Sequence, residues 1–332
     1  MRCADLTALG RAADAVRKTL HPDNMVTFVI DRNINYTNIC VSRCKFCAFW
    51  REREAGYVLS REQLAKKISE TVELGGTEIL LQGGLHPDLR LDFYVDMLRF
   101  IKRRFDIHIH AFSPPEIVHF AALNSMPVGD VIAELRDAGL DSMPGGGAEI
   151  LSDSVRERVS PHKCTAGEWI EVMRRAHALG IRTTATMMFG HAETLRDRVE
   201  HLRRVRDLQD ETGGFTAFIA WTFQPPNTAL ASEGIPVLPG GFEYLRLLAV
   251  SRIYLDNVAN IQASWVTQGA KIAQLALRFG ANDMGGTMLE ENVVRAAGAE
   301  FRMSVEEIVN AVRKAGFIPA QRDTLYNVLR TA

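Results

Sequence analysis

No stretch of the 332 residues approaches the roughly 20 consecutive apolar residues a helix needs to cross a bilayer. The first residues, Met1-Arg2-Cys3-Ala4-Asp5, lead into a polar amphipathic stretch and lack the apolar centre of a secretory leader. An excess of charge is also missing. With 39 basic and 40 acidic residues the net charge is −1, so nothing draws the chain generally to nucleic acid or an anionic membrane. A local basic pair for an anionic small molecule stays invisible in that sum. Cysteine is scarce and odd in number, five in a long chain, unlike the dense even set of a small disulfide scaffold. Linkers, low-complexity tracts and tandem repeats are absent too. The reading is one cytoplasmic domain over residues 1–332 that handles a small molecule, with no nucleic acid and no membrane.

At 47% hydrophobic residues the chain can bury a large core. Apolar β-rich runs alternate with helical patterns from end to end. A helix over about 5–19 precedes Val26-Thr27-Phe28-Val29-Ile30, and Ser60 with Gln63 opens a helix near Arg61–Leu74. Further strands fall at 77–81, 107–112, 140–143, 182–189, 215–223, 261–265 and 281–283, with helices between them. About eight strand–helix units predict an α/β fold, a (β/α)8 TIM-like barrel with its active site at the C-terminal ends of the strands. A C-terminal helical segment over about 288–332, with Val305–Lys314 as its last helix, is expected to pack on it.

The most specific feature is Cys40-Val41-Ser42-Arg43-Cys44-Lys45-Phe46-Cys47. Three thiolates on one short loop hold three irons of a cubane and leave the fourth without a protein ligand, open to chemistry. A structural zinc site would need a fourth ligand such as His21, His86 or His110, and none lies at the usual short spacing. Cys3 and Cys164 read as isolated thiols.

Polar and glycine-rich clusters fall at the predicted strand ends: Gln82-Gly83-Gly84-Leu85-His86, His110 to Glu116, Ser142 to Glu149, Thr186 to Glu193, Trp221 to Asn227, and Ser264 to Gln268. Gly145-Gly146-Gly147 suit a ligand cradle, with Ser142 and Glu149 as partners for a ribose or an amino group and Arg156 for a carboxylate. His108 and His110 share one strand face. His86 and His110 are candidates for proton transfer or substrate binding.

The cysteine loop resembles that of the radical S-adenosylmethionine (SAM) superfamily. The resemblance implies a [4Fe–4S] cluster whose open iron binds the amino and carboxylate groups of SAM, and electrons from a donor such as flavodoxin or ferredoxin. Phe46 matches the aromatic position beside the adenine. Gln82-Gly83-Gly84 stands where the family carries a Gly-Gly-Glu-like turn, without its acidic member. Gly190 and Glu193 match a family strand near the adenine, with Met188 on that strand.

Further strings resemble one subgroup, the futalosine-pathway menaquinone enzymes and deazaflavin-cofactor synthases. They are Asp31 to Asn38, His110 to Glu116, Gly139 to Glu149, Gln209 to Ile219 and Ser264 to Gly269. They look most like the branch that cyclises dehypoxanthine futalosine. What this implies is hydrogen abstraction from the ribose C4′, addition of the carbon radical to the benzoate ring, and loss of a proton and an electron. His86, His110 and Glu116 are the candidate bases or substrate contacts, and Trp221, Phe223 and Trp265 could wall the ring. The competing readings are a sister reaction of the subgroup and a non-catalytic iron–sulfur protein.

Overall fold

A computed structural model describes residues 5–234 and 239–332, so Cys3 lies outside the described residues. Helices begin where the capping residues place them. Ser60 accepts the Gln63 amide while the Gln63 side chain accepts the Ser60 amide, and the helix Arg61–Glu73 follows. The same reciprocal cap opens the helices Ala166–Ala178, Leu195–Thr212 and Val305–Lys314. The N-terminal helix is Leu6–Leu20, capped by Asp5. Among the described residues no helix is long and apolar enough to cross a membrane.

The strands form one sheet: β1 (Met25–Val29), β2 (Asp31–Asn35), β3 (Glu78–Gln82), β4 (His108–Ala111), β5 (Ser142–Met143), β6 (Arg182–Phe189), β7 (Phe215–Thr222), β8 (Asn260–Gln262), β9 (Asp283–Gly286), β10 (Ile318–Arg322) and β11 (Val328–Thr331). β1 and β2 are a single run of chain broken at Ile30. At the break the Asp31 amide donates to the Thr287 hydroxyl at 3.2 Å rather than to a strand carbonyl. One run thereby serves two sets of neighbours, since β1 lies between β9 and β10 while β2 pairs with β3. The parallel ladder from β2 through β9 to β1 closes on itself as the expected barrel, with β1 and β2 sharing one of its eight positions.

Two expectations are corrected. The segment over about 288–332 is not helical to its end. Gly316, in the left-handed conformation at φ 79°, stops the helix Val305–Lys314. Pro319 could not continue a helix, and β10 runs parallel to β1 before β11 folds back antiparallel. The stretch from Ser113, expected only as part of a polar cluster at a strand end, begins a helix, Pro114–Asn124. Its paired prolines occupy the first turn, where a missing amide costs nothing.

Apolar side chains fill the space between sheet and helices: Ile34, Leu81, Ile109 and Phe120 on one flank, Trp169, Ala185, Phe218, Leu248 and Ile261 on the other. The alternate strand residues face inward. In a filled barrel those positions carry branched apolar residues. Here Asp31, Asn33, Glu78, Gln82, His110, Thr184, Thr186 and Gln262 line a cavity of about 270 Å³ instead. The β10–β11 hairpin floors it: Arg322 makes a two-armed contact with Asp283 at 2.6 and 3.0 Å, and Thr324 donates to Glu78.

Candidate active site

The cysteine loop leaves β2 and is laced to the turn after β3. Gly84 donates its amide to the Thr37 carbonyl at 2.9 Å, and Val41 donates to the Leu85 carbonyl at 3.0 Å. A side chain on Gly84 would collide with the Ile39 carbonyl and Cys40 Cβ, so only glycine lets the two turns touch. Cys44 and Cys47 are joined by a tight turn, Cys47 N–H to Cys44 carbonyl at 3.1 Å. Burial pushes the Cys44 thiol up to about 11 while Lys163 pulls it down. A bound iron would overturn that preference, since a coordinating thiol is deprotonated outright. Cys40, Cys44 and Cys47 are all free thiols. Among the described residues no three Cys, His, Asp or Glu side chains gather as ligands of a single ion would. A cubane asks each thiolate for a different iron.

Beside Cys44 lies a group the sequence reading missed. Lys163 donates to Glu149 Oε1 at 2.6 Å, and its ammonium stands 5.2 Å from the Phe46 ring centre. Burial works against that charge, but Cys44 and Glu149 more than restore it and raise the lysine's pKa. Glu149 is 4% exposed and sits in the left-handed region at φ 40°, and among the described residues no hydrogen-bond donor reaches its buried Oε2. An orphaned carboxylate oxygen costs free energy unless a ligand donor reaches it. The amino group of SAM is a donor of that kind, and the residues present fit it. Met188 packs with Val159, Phe223 and Leu230, and Phe46 rests against them, so the two expected adenine neighbours share one apolar patch. Phe223 belongs to this patch, not to the cavity wall.

Other expected contacts are built into the frame. The Arg156 guanidinium is spent on the carbonyls of Gly147, Ala148 and Cys164, so it clamps the glycine-rich loop from below. Glu116 accepts from the Tyr36 hydroxyl at 2.6 Å, the Gly83 amide at 3.0 Å, and both the amide and hydroxyl of Ser113. Burial raises its pKa, although these donors oppose the shift. With four donors engaged, Glu116 is a fastener for the Gly83–Gly84 turn and not a free base. His86 accepts the Asp88 amide at 3.1 Å and is not among the cavity residues.

His110 does line the cavity, with Gln82, Gly146, Trp221, Ser264 and Trp265 toward its open end. Ser142 points its hydroxyl beneath the glycine-rich loop, at 2.6 Å from His110 Nδ1 and 2.7 Å from His108 Nε2. Burial, helped by His108 and Arg322, pushes the His110 pKa down to about 3 and keeps the ring neutral. Asp31, also missed, faces the cavity, and among the described residues its carboxyl accepts one hydrogen bond, from the Met288 amide at 2.9 Å. Burial and the neighbouring Glu78 carboxylate push it up to about 7. Its signal lay in the inward alternation of the first strand, hidden by the break at Ile30.

Comparison with known proteins agrees with this geometry. The sequence matches the Radical SAM superfamily over residues 34–205 and the CofH/MqnC C-terminal region over 212–332. It is 49% identical over 330 residues to cyclic dehypoxanthine futalosine synthase of Halalkalibacterium halodurans, covering 98% of this chain and 88% of that one. It is 47% identical over 327 residues to the 5-amino-6-(D-ribitylamino)uracil–L-tyrosine 4-hydroxyphenyl transferase of Archaeoglobus fulgidus, covering 96% and 93%. Methylornithine synthase (PylB) superposes at a TM-score of 0.73 with 18% identity, covering 95% of this chain and 89% of its own. The hydrogenase maturase HydG does so at 0.75 with 14% identity, covering 98% and 71%. Those two likenesses are of fold, whereas the first two extend along the sequence. The chain belongs to the radical SAM superfamily: it is an enzyme that works with a [4Fe–4S] cluster and S-adenosylmethionine.

Proposed function

We propose that the enzyme cyclises dehypoxanthine futalosine in menaquinone biosynthesis, as the name of its Halalkalibacterium relative says of that protein. When bound, cluster and SAM supply a 5′-deoxyadenosyl radical and accept one electron back. Cys40, Cys44 and Cys47 would hold the cluster, and Glu149, Phe46, Met188 and the Gly83–Gly84 turn would hold SAM. The substrate loses hydrogen from its ribose C4′, closes onto its own benzoate ring, and gives up a proton and an electron to regain aromaticity.

The observation that carries this reading is the cavity. It is sealed below by the β10–β11 hairpin, walled by the indoles of Trp221 and Trp265, and of the size of a small-molecule pocket, roughly 300 Å³ at the lower end. The indoles hold an aromatic ring and keep water from a reactive carbon. Asn33, Asp31, Gln262 and Ser264 offer partners for sugar hydroxyls and a carboxylate. His110, neutral and facing the cavity, receives the ring proton at Nε2. A flavodoxin- or ferredoxin-type donor completes the proposal.

The test is anaerobic incubation of the reconstituted enzyme with SAM, dithionite and dehypoxanthine futalosine. A product two hydrogens lighter than substrate, with C4′ deuterium recovered in 5′-deoxyadenosine, is expected. The Archaeoglobus relative supports a second reading, in which tyrosine and 5-amino-6-(D-ribitylamino)uracil are joined. Turnover of that pair, with none of dehypoxanthine futalosine, would replace the first reading by the second.

A further inference from the structure

A neutral imidazole whose surroundings oppose a positive charge does not keep a proton it takes and must pass it on. We propose that His110, Ser142 and His108 form a proton relay that carries the ring proton from the cavity to the floor of the barrel, with His108 as its terminus. The proposal rests on the cyclase reading and adds two residues to it.

The geometry is that of a wire. His108 and His110 alternate on β4 so that both face inward, and β5 sets Ser142 opposite His110 in register. One hydroxyl lies within 2.6 Å of His110 Nδ1 and 2.7 Å of His108 Nε2. A hydroxyl owns one proton, so it donates to one ring and accepts from the other. Among the described residues nothing hydrogen-bonds His110 Nε2, the nitrogen left over for the cavity. For Nε2 to take a proton it must be the unprotonated nitrogen, and then Nδ1–H donates to Ser142 and the Ser142 hydroxyl donates to His108 Nε2.

The transfer balances atom by atom. The ring carbon yields its proton to His110 Nε2, Nδ1 releases its own to Ser142 Oγ, and the former hydroxyl proton moves to His108 Nε2. One proton enters and one positive charge ends on His108. The surroundings of each ring set that direction. His110 is buried and is faced by His108 and Arg322, both of which oppose a positive charge. Burial also holds the His108 pKa down, but His108 is less buried than His110, and the Asp141 and Asp323 carboxylates near it favour the charge, opposed by Lys102. A merely structural Ser142 would satisfy the same two nitrogens without moving anything, so the test must read transfer.

Ser142→Ala, Ser142→Thr and His108→Gln are compared with wild type in a single turnover, measuring cyclised product per 5′-deoxyadenosine and its solvent deuterium isotope effect. Folding and iron content are checked first. Ser142→Ala and His108→Gln are expected to form 5′-deoxyadenosine but lower the product ratio at least about tenfold. Ser142→Thr, which keeps the hydroxyl, restores it, and the wild-type isotope effect disappears in Ser142→Ala. An unchanged ratio in both variants overturns the relay while leaving the cyclase intact. Loss of 5′-deoxyadenosine together with product returns Ser142 to the SAM site and also overturns it. Wild-type enzyme that makes no cyclised product removes the cyclase reading and the relay with it.

Discussion

Glu116 accepts the Gly83 amide at 3.0 Å from 33 residues away in sequence. The same carboxylate anchors Tyr36, whose chain runs on into the cysteine loop. One buried acid thus fixes the glycine turn and the strand that delivers the cysteines. In Glu116→Ala the Tyr36 hydroxyl and Gly83 amide are stranded, at about 1–3 kcal/mol for each unsatisfied group. We expect a lower denaturation midpoint and weaker SAM binding. Full stability with unchanged SAM affinity would remove Glu116 from this role.

Replacing Cys40, Cys44 or Cys47 by alanine should abolish SAM cleavage and reduce bound iron. Cys164→Ala should do neither, because Arg156 bonds to the Cys164 backbone carbonyl, which the substitution keeps. Iron analysis and 5′-deoxyadenosine formation separate the two groups. Retained cleavage by Cys44→Ala protein would defeat the cluster assignment.

Glu149→Gln keeps the shape of the side chain and removes the charge behind its partnerless Oε2. SAM affinity should fall about tenfold, the value of one hydrogen bond to a charged group, with iron content unchanged. Equilibrium dialysis of the reconstituted protein measures it. An unaltered dissociation constant would mean that the orphaned oxygen does not meet SAM.

Asp31 holds its proton up to about pH 7 in the folded chain, above the ordinary 3.8 of a carboxyl. Between those values the folded state binds more protons than the unfolded one. The Asp31 contribution is therefore present at low pH and is lost as pH rises toward 7. From pH 5 to 7 the wild type should lose about 2 kcal/mol more than Asp31→Asn, which cannot titrate. Denaturant unfolding at the two pH values gives the difference, and parallel losses would contradict it.

The cysteine spacing, the strand–helix rhythm and the Ser60 cap could be read without coordinates, because each is a local pattern with a local cause. Ser142 and Arg156 could be seen as polar residues near a glycine-rich loop, but not that one bridges two imidazoles and the other is spent on backbone carbonyls. Those roles depend on register and approach between distant segments. Lys163 lies in the connecting segment Pro161-His162-Lys163 and carries no periodic signal. The helix at Pro114 was hidden by the very prolines that suit its first turn. The final hairpin escaped because Pro319 weakens the look of a strand, although β10 tolerates it beside β1.

The pairing of β1 with β10, Val26 opposite Pro319, sets an order of assembly. The residues bonded to the cysteine loop or lying beside it, from Glu149 and Lys163 to Leu230 and Glu233, all precede β8 in the chain. The substrate chamber gains its floor only when Arg322 arrives to meet Asp283. Until then Asp31, Glu78 and Asp283 stand in water, ionised and repelling one another. A nascent chain can therefore hold iron before it has a dry room for the substrate, and a chain cut short of its last strands would carry metal with nowhere to use it.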